Sequence, residues 1–134
     1  MSTNADEKGQ SLVEVALAMP VLILILIGIL DLGRAYFTFV ALSDAAAEGA
    51  AYAAIHPTNT TQAVARAVDS SNGLVVLEPS MVNVIQGELA VGSPITVTVE
   101  FEYQLLTPFI QEFVPDGTID MRAIVVQSIT SGGF

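Results

Sequence analysis

One apolar stretch near the start of the chain decides the fold, and it reads LVEVALAMPVLILILIGIL over residues 12–30. After Glu14, the next charged residue is Asp31. A helix needs about 20 mainly apolar residues to cross the hydrocarbon core of a bilayer. A buried core helix is the alternative, but so small a chain has too few other residues to surround a helix that is apolar on every face. We therefore expect this stretch to span a membrane at some stage of the protein's life.

A cleaved secretory signal peptide is another interpretation of an apolar N-terminal stretch. Such a peptide has basic residues before the stretch and a small-x-small site after it. Here only one basic side chain, Lys8, precedes the stretch, and the residues that follow it continue as helix-forming sequence until Pro57. The predicted helix runs from about Gln10 to Ala54 and is roughly 65 Å long, more than twice the thickness of the hydrocarbon core. We expect half of it to lie outside the membrane.

The second half of the predicted helix carries small residues at spacings of three and four, which place them on one face. We call this face the small-residue stripe; it comprises Leu42, Ala45, Ala46, Gly49, Ala50, Ala53 and Ala54. Small side chains allow a sheet or another helix to approach closely. The stripe either packs on the C-terminal part of the same chain or packs against neighbouring copies, and the sequence leaves both open.

The remainder of the chain predicts a small α+β head. The residues Asn59-Thr60-Thr61 offer an N-cap for a short amphipathic helix predicted from Gln62 to Ser71. Predicted strands follow at Met81 to Gln86, Ile95 to Gln104 and Ile119 to Val125, and the middle one alternates apolar and polar residues, which is typical of a half-buried antiparallel strand. Between the last two strands, a Phe109-Ile110-x-x-Phe113 cluster predicts a packed loop or a helical turn. The expected fold class is α+β, a long N-terminal transmembrane and stalk helix packed on a small antiparallel sheet.

Composition excludes several classes of function. The 134 residues are 52% hydrophobic, carry a formal net charge of −10 and include no cysteine. The charge argues against binding to nucleic acid phosphates, and the lack of cysteine excludes thiolate metal sites. The single histidine, His56, precedes a proline, and Glu100 and Glu102 share the polar face of one strand. We find no phosphate loop, histidine-containing metal set or nucleophile motif, so we expect a protein that is not an enzyme and needs no cofactor.

Two residues in the apolar stretch carry an energetic cost, which suggests that each has a function. Glu14 puts a carboxylate inside the stretch, and an acid at membrane depth indicates a functional site by default. The alternative is that Glu14 lies at the membrane interface and marks where the bilayer begins. Pro20 removes a helix hydrogen bond and is expected to kink the helix.

The sequence KGQSLVE over residues 8–14 resembles the leader junction of type IV-like prepilins, a polar leader that ends in glycine, followed four residues later by a glutamate and an apolar helix. The resemblance continues through Met19-Pro20 and through GILDLGR over residues 28–34. The chain is identified on this basis as similar to the TadE-like group of pilin-like proteins, which belong to the tight-adherence (Tad) pilus system.

The resemblance implies a function for the N-terminal residues. A prepilin peptidase in the membrane would cut after Gly9, so that Gln10 becomes the new N-terminus. Glu14 would then pair with the Gln10 amine of a neighbouring copy and fix the register of assembly. The implied domains are a leader at residues 1–9, a helix at 10–56 with its membrane span at about 12–30 and its stalk at 31–56, and a head at 57–134.

The expected function is that of a structural subunit in a Tad pilus or extracellular filament. Its expected partners are copies of itself or other pilins, the peptidase and an inner-membrane assembly platform, with no nucleic acid. The resemblance implies a precursor in the bacterial cell membrane and an extracellular assembled form. A permanently membrane-anchored accessory subunit of a Tad-type secretion or assembly machine is the main alternative. A membrane-anchored enzyme or solute-binding domain is a third possibility, which requires a pocket with convergent polar groups.

Overall fold

The computed structural model describes residues 3–71, 73, 75–107 and 114–131, with the side chains of these residues except 3–8 and 115. Two helices precede a three-stranded sheet. Their bounds are Thr3–Ile55 for α1, Thr60–Ser70 for α2, Val82–Gln86 for β1, Pro94–Gln104 for β2 and Thr118–Ser128 for β3. Short 3-10 turns at Pro79–Met81 and Pro115–Gly117 precede β1 and β3. The predicted Phe109-Ile110-x-x-Phe113 cluster lies outside the described residues.

The chain divides into two units, of which the first ends at Arg34 and the second starts at Ala35. In the described part of the first unit the backbone is that of α1 alone, which begins before the Gln10 start predicted from the sequence and continues through Pro20. This is a helix long and apolar enough to cross a membrane by length and composition, and its most apolar window is not buried at all. The membrane segment predicted from the sequence therefore lies in one uninterrupted helix.

The second unit contains the end of α1, the helix α2 and an antiparallel sheet in the order β1-β2-β3. The strand β2 is central, with Val97 paired to Val84 on one side and Val99 paired to Ala123 on the other. The alternation predicted for β2 is confirmed, since Ile95, Val97, Val99 and Tyr103 are buried while the residues between them are not. The α+β fold class is confirmed with them.

The small-residue stripe of α1 packs on the head of its own chain. All seven of its residues are buried, and its apolar members share two clusters with Val97, Val99 and Ile95 of β2. Of the two partners that the sequence leaves open, the structure therefore selects the chain's own sheet. Gly49 marks the tightest approach, because a Cβ atom there would lie 3.1 Å from Cβ of Ala67 and 3.2 Å from the carbonyl oxygen of Ala63 in α2.

Hydrogen bonds fix the ends of both helices. The backbone N–H of Thr130 donates to the carbonyl of Ala54 over 2.9 Å, and the hydroxyl of Ser131 donates to the carbonyl of Ile55 over 2.6 Å. These bonds satisfy carbonyls that the last turn of a helix leaves without partners. At the start of α2, the side-chain oxygen of Asn59 accepts from the backbone N–H of Gln62 over 3.1 Å, which confirms the predicted cap.

Candidate assembly surface

The first unit presents one continuous apolar surface. Every large hydrophobic side chain from Leu12 to Leu32 is exposed, and Leu32 itself is 72% accessible. These residues cover roughly 32 Å of helix, close to the thickness of a bilayer's hydrocarbon core of about 30 Å. This surface is far larger than the apolar patches that monomeric proteins usually expose to water. It therefore requires cover by lipid or by other protein.

Apolar exposure continues in the second unit, beyond the predicted end of the membrane span at Leu30. The large side chains Tyr36, Phe37, Phe39 and Val40 are exposed on the first turns of this unit, and Phe37 is 72% accessible. Aromatic residues that combine an apolar ring with a polar group, such as tyrosine, are enriched at the boundary between a membrane and water. The part of the helix that needs cover is thus longer than the sequence interpretation assigned to the membrane.

The four residues predicted to act in processing and assembly all lie on α1. Gly9, Gln10 and Glu14 are exposed, and Pro20 lies within the continuous helix. Gln10 and Glu14 are four residues apart and so share one side of the helix. Within the described part of the chain, Glu14 makes no ion pair. The cleavage after Gly9, the role of Glu14 and a kink at Pro20 stay predictions.

A charged pair follows the apolar stretch. Asp31 is only 3% accessible, whereas Arg34, one turn later, is about half exposed, and its guanidinium nitrogen lies 3.8 Å from the Asp31 carboxylate. Positive charge close by offsets part of the cost of burying a carboxylate. The sequence interpretation treated Asp31 only as the first charge after the stretch. Its three-residue spacing from Arg34, which places both on one side of a helix, is the signal that was missed.

The side of the sheet that faces away from α1 has two chemically different halves. We call it the outer sheet face and define it by the cross-strand rows Ile85, Thr96, Val126; Asn83, Thr98, Ile124; Glu100, Arg122; and Glu102, Asp120. The sequence predicted a polar face on β2, and that holds for β2 itself. The neighbouring strands add three large apolar side chains, which are 55 to 58% exposed, because Ile85, Ile124 and Val126 point to this side.

The charged half of the outer sheet face is unbalanced. Arg122 and Glu100 form an ion pair with 2.6 Å between Nη2 and Oε1. In the next row Glu102 lies directly opposite Asp120, and like charges in that arrangement destabilise a sheet. Neither of these two carboxylates has an ion pair among the described residues. Both line an open groove of about 660 Å³.

A second surface cluster in the head connects α1 and α2. The rings of Tyr52 and His56 stack with centroids 4.6 Å apart, and the guanidinium of Arg66 lies 5.6 Å from the centroid of the Tyr52 ring. Arg66 also lies 3.8 Å from Glu48. Exposed interactions of these kinds each contribute up to about 1 kcal/mol. His56 thus has a packing role at the surface.

Among the residues that the structure describes, no three histidine, aspartate or glutamate side chains are grouped so that they could hold a metal ion. The groove that contains Glu102 and Asp120 is lined by outer-face residues Glu100 and Arg122 and also by Ser80, Met81, Phe101 and Met121. Its polar groups are mainly carboxylates, and its lining holds no histidine to act as a base. The described residues thus present an exposed apolar surface on α1 and a groove lined mainly by carboxylates.

Comparison with known proteins finds a family match, and it lies on α1. A family model described as TadE-like protein matches residues 9–51. The match begins at the glycine of the predicted leader junction and covers the apolar stretch and most of the small-residue stripe. No curated protein and no solved structure matches the chain. The resemblance found in the sequence is thus confirmed over residues 9–51 of the long N-terminal helix, which are similar to the TadE-like proteins.

Proposed function

We propose that the protein is a pilin-like structural subunit of a Tad pilus or a similar extracellular filament. TadE-like proteins are associated with this pilus system, and the membrane-capable helix fits a membrane-anchored protein of the cell surface. The observation that carries the proposal is the uninterrupted exposure of large apolar residues from Leu12 to Leu32 on the matched helix. In the precursor lipid covers this surface, and in the filament neighbouring subunits cover it.

Processing supplies the step between the two states. We propose that a prepilin peptidase cuts after Gly9, which is exposed, and leaves Gln10 as the new N-terminus. Cleavage removes the residues before Gln10, including Lys8, and creates a positively charged amine at the end of an apolar helix. The subunit then leaves the bilayer through the assembly platform.

Glu14 has a specific task in this scheme. An ionised carboxylate among apolar helices is expensive to bury unless a cation lies close to it. The amine of Gln10 on a neighbouring copy is such a cation, and it fits only one axial position of the two helices. We propose that this pairing selects the register of assembly more than it adds stability.

The test is the N-terminal sequence of protein sheared from the cell surface, measured by mass spectrometry. The expected N-terminus is Gln10, and surface filaments that keep residues 1–9 would refute the processing step. Glu14→Lys should abolish filaments while the protein still enters the membrane. The matched control is Glu88→Lys, which makes the same charge change at an exposed residue of the head and should leave filaments intact. Normal filaments from Glu14→Lys would refute the register role.

A second function is favoured by the same exposed helix, since a permanent membrane anchor needs it equally. In that case the protein is an accessory subunit of the secretion or assembly machine, and its head binds another component. Cell fractionation separates the two functions. A filament subunit appears in the sheared surface fraction, whereas an accessory subunit stays with the membranes after shearing.

A further inference from the structure

We propose that copies interlock through a second contact, in which residues 26–34 of α1 in one copy lie on the outer sheet face of the next copy. In this contact Arg34 of the helix approaches Glu102 and Asp120 of the sheet. The inference rests on the proposed function, because it requires that copies assemble. The contact would cover two surfaces that expose large apolar side chains, one on α1 and the other on the outer sheet face.

The outer sheet face is partly apolar and partly charged, so a partner must match both parts. Its apolar half exposes Ile85, Ile124 and Val126, and its charged half ends in two opposed carboxylates, Glu102 and Asp120. A partner that fits must bring an apolar strip with a cation at one end. An anionic lipid surface does not meet this requirement, because the carboxylates would repel it.

The helix of a second copy has this chemistry. Leu26 and Leu30 are four residues apart and are 60 and 67% exposed, so they form one apolar stripe. Arg34 lies beside that stripe. The distances also agree: Leu26 and Arg34 are about 12 Å apart along a helix, and Ile124 and Asp120 are about 14 Å apart along a strand.

The charge inventory of the chain favours Arg34 among the cations. The sequence has four lysine and arginine residues, namely Lys8, Arg34, Arg66 and Arg122. Arg66 and Arg122 already form ion pairs within the head, and Lys8 is in the segment that the proposed cleavage removes. Arg34 also has an acidic neighbour in Asp31, but a guanidinium carries five N–H donors and serves more than one carboxylate at once.

The symmetry of this contact suits a filament. It joins a helix surface of one copy to a sheet surface of another, so in a head-to-tail arrangement each copy keeps one free surface for the next copy. Repetition of such a contact builds an open array in which all copies point the same way. A two-fold contact between identical surfaces would instead stop at a dimer.

Disulfide formation tests the contact directly, because the chain has no cysteine of its own. Cells express two single-cysteine versions of the full chain, Leu26→Cys and Ile124→Cys, and the sheared filaments are oxidised. The expected product is a dimer that joins the two versions. In the matched control, Val76→Cys replaces Ile124→Cys at an 80% exposed residue outside the outer sheet face, and this pair should not crosslink. Filaments that form but crosslink equally in both pairs, or in neither, would overturn the inference and leave the proposed function intact.

A charge exchange provides the second test. Arg34→Glu and Glu102→Arg should each lower the yield of sheared filaments by about fivefold or more, and the two together in one chain should restore most of it. Glu102→Arg sets an arginine opposite Asp120, so a weakened head does not explain a loss. A double variant no better than either single variant would refute the contact. If the unmodified chain forms no surface filaments at all, the proposed function itself fails.

Discussion

The close approach of α1 and α2 at Gly49 yields a sharp prediction about stability. Replacing the glycine by alanine adds one methyl group where Ala67, Ala63 and Val97 already stand 3.1 to 3.4 Å from its position. One of these neighbours is a backbone carbonyl oxygen, which cannot rotate away. We expect Gly49→Ala to destabilise the head even though alanine is the better helix former.

The magnitude follows from two opposing terms. Glycine to alanine in a helix interior stabilises by about 1 kcal/mol. An extra methyl group in a tightly packed site costs about 1 to 3 kcal/mol, because side chains and backbone must shift. The expected net effect is a loss of about 1 kcal/mol. Gly49→Val, which adds two further methyl groups, should lose clearly more.

Hydrogen exchange of the β2 amides measures this in the full chain held in detergent micelles, because these central amides exchange through large opening events. The control is Ala47→Gly at an exposed position two residues away, which should lose about 1 kcal/mol through helix propensity alone. If Gly49→Ala stabilises the head by as much as Ala47→Gly destabilises it, the methyl group meets no resistance and the close approach is refuted.

Three further changes test other parts of the head. Ile95→Ala removes a fully buried side chain and should lower the free energy of unfolding by about 2 to 4 kcal/mol. Val76→Ala, at an 80% exposed site, should change it by less than about 0.5 kcal/mol. Equal losses for the two variants in the same exchange assay would contradict the assigned core. Asn59→Ala removes the cap of α2 and should lower the stability of that helix by about 1 kcal/mol, most of which Asn59→Asp should recover. Hydrogen exchange of the α2 amides measures this fraying of the helix. A double-mutant cycle on Glu100 and Arg122 should give a coupling of no more than about 1 kcal/mol that weakens with salt, because both side chains are more than half exposed; a larger coupling would mean that the pair is shielded from water.

Local patterns predicted most of the individual elements. The alternation from Ile95 to Tyr103 was sufficient to place β2 and its buried side, because a strand has a side-chain period of two. The cap segment Asn59-Thr60-Thr61 located the start of α2 to within two residues, because a cap is a local interaction between neighbouring residues. The apolar stretch after Glu14 determined the membrane-capable helix by length and composition alone.

Partners and register were harder to predict, for a physical reason. The spacing of Ala45, Ala46 and Gly49 defines a face of the helix but does not specify which surface covers it, so both the C-terminal part of the same chain and a neighbouring copy stayed open. The opposition of Glu102 and Asp120 depends on how β2 and β3 are aligned, which their individual sequences do not specify. The apolar half of the outer sheet face went unnoticed, since it combines residues from separate strands.

The hydrogen bonds that close the end of α1 also impose an order on biosynthesis. The carbonyl of Ala54 meets its side-chain donor, Thr130, only after another 76 residues have been added to the chain, and the strand β3 is completed just before that point. Throughout this interval the small-residue stripe lacks the complete sheet that covers it in the folded head. Closure of the head on the end of α1 is therefore a late step, which requires that the chain has been made as far as Thr130.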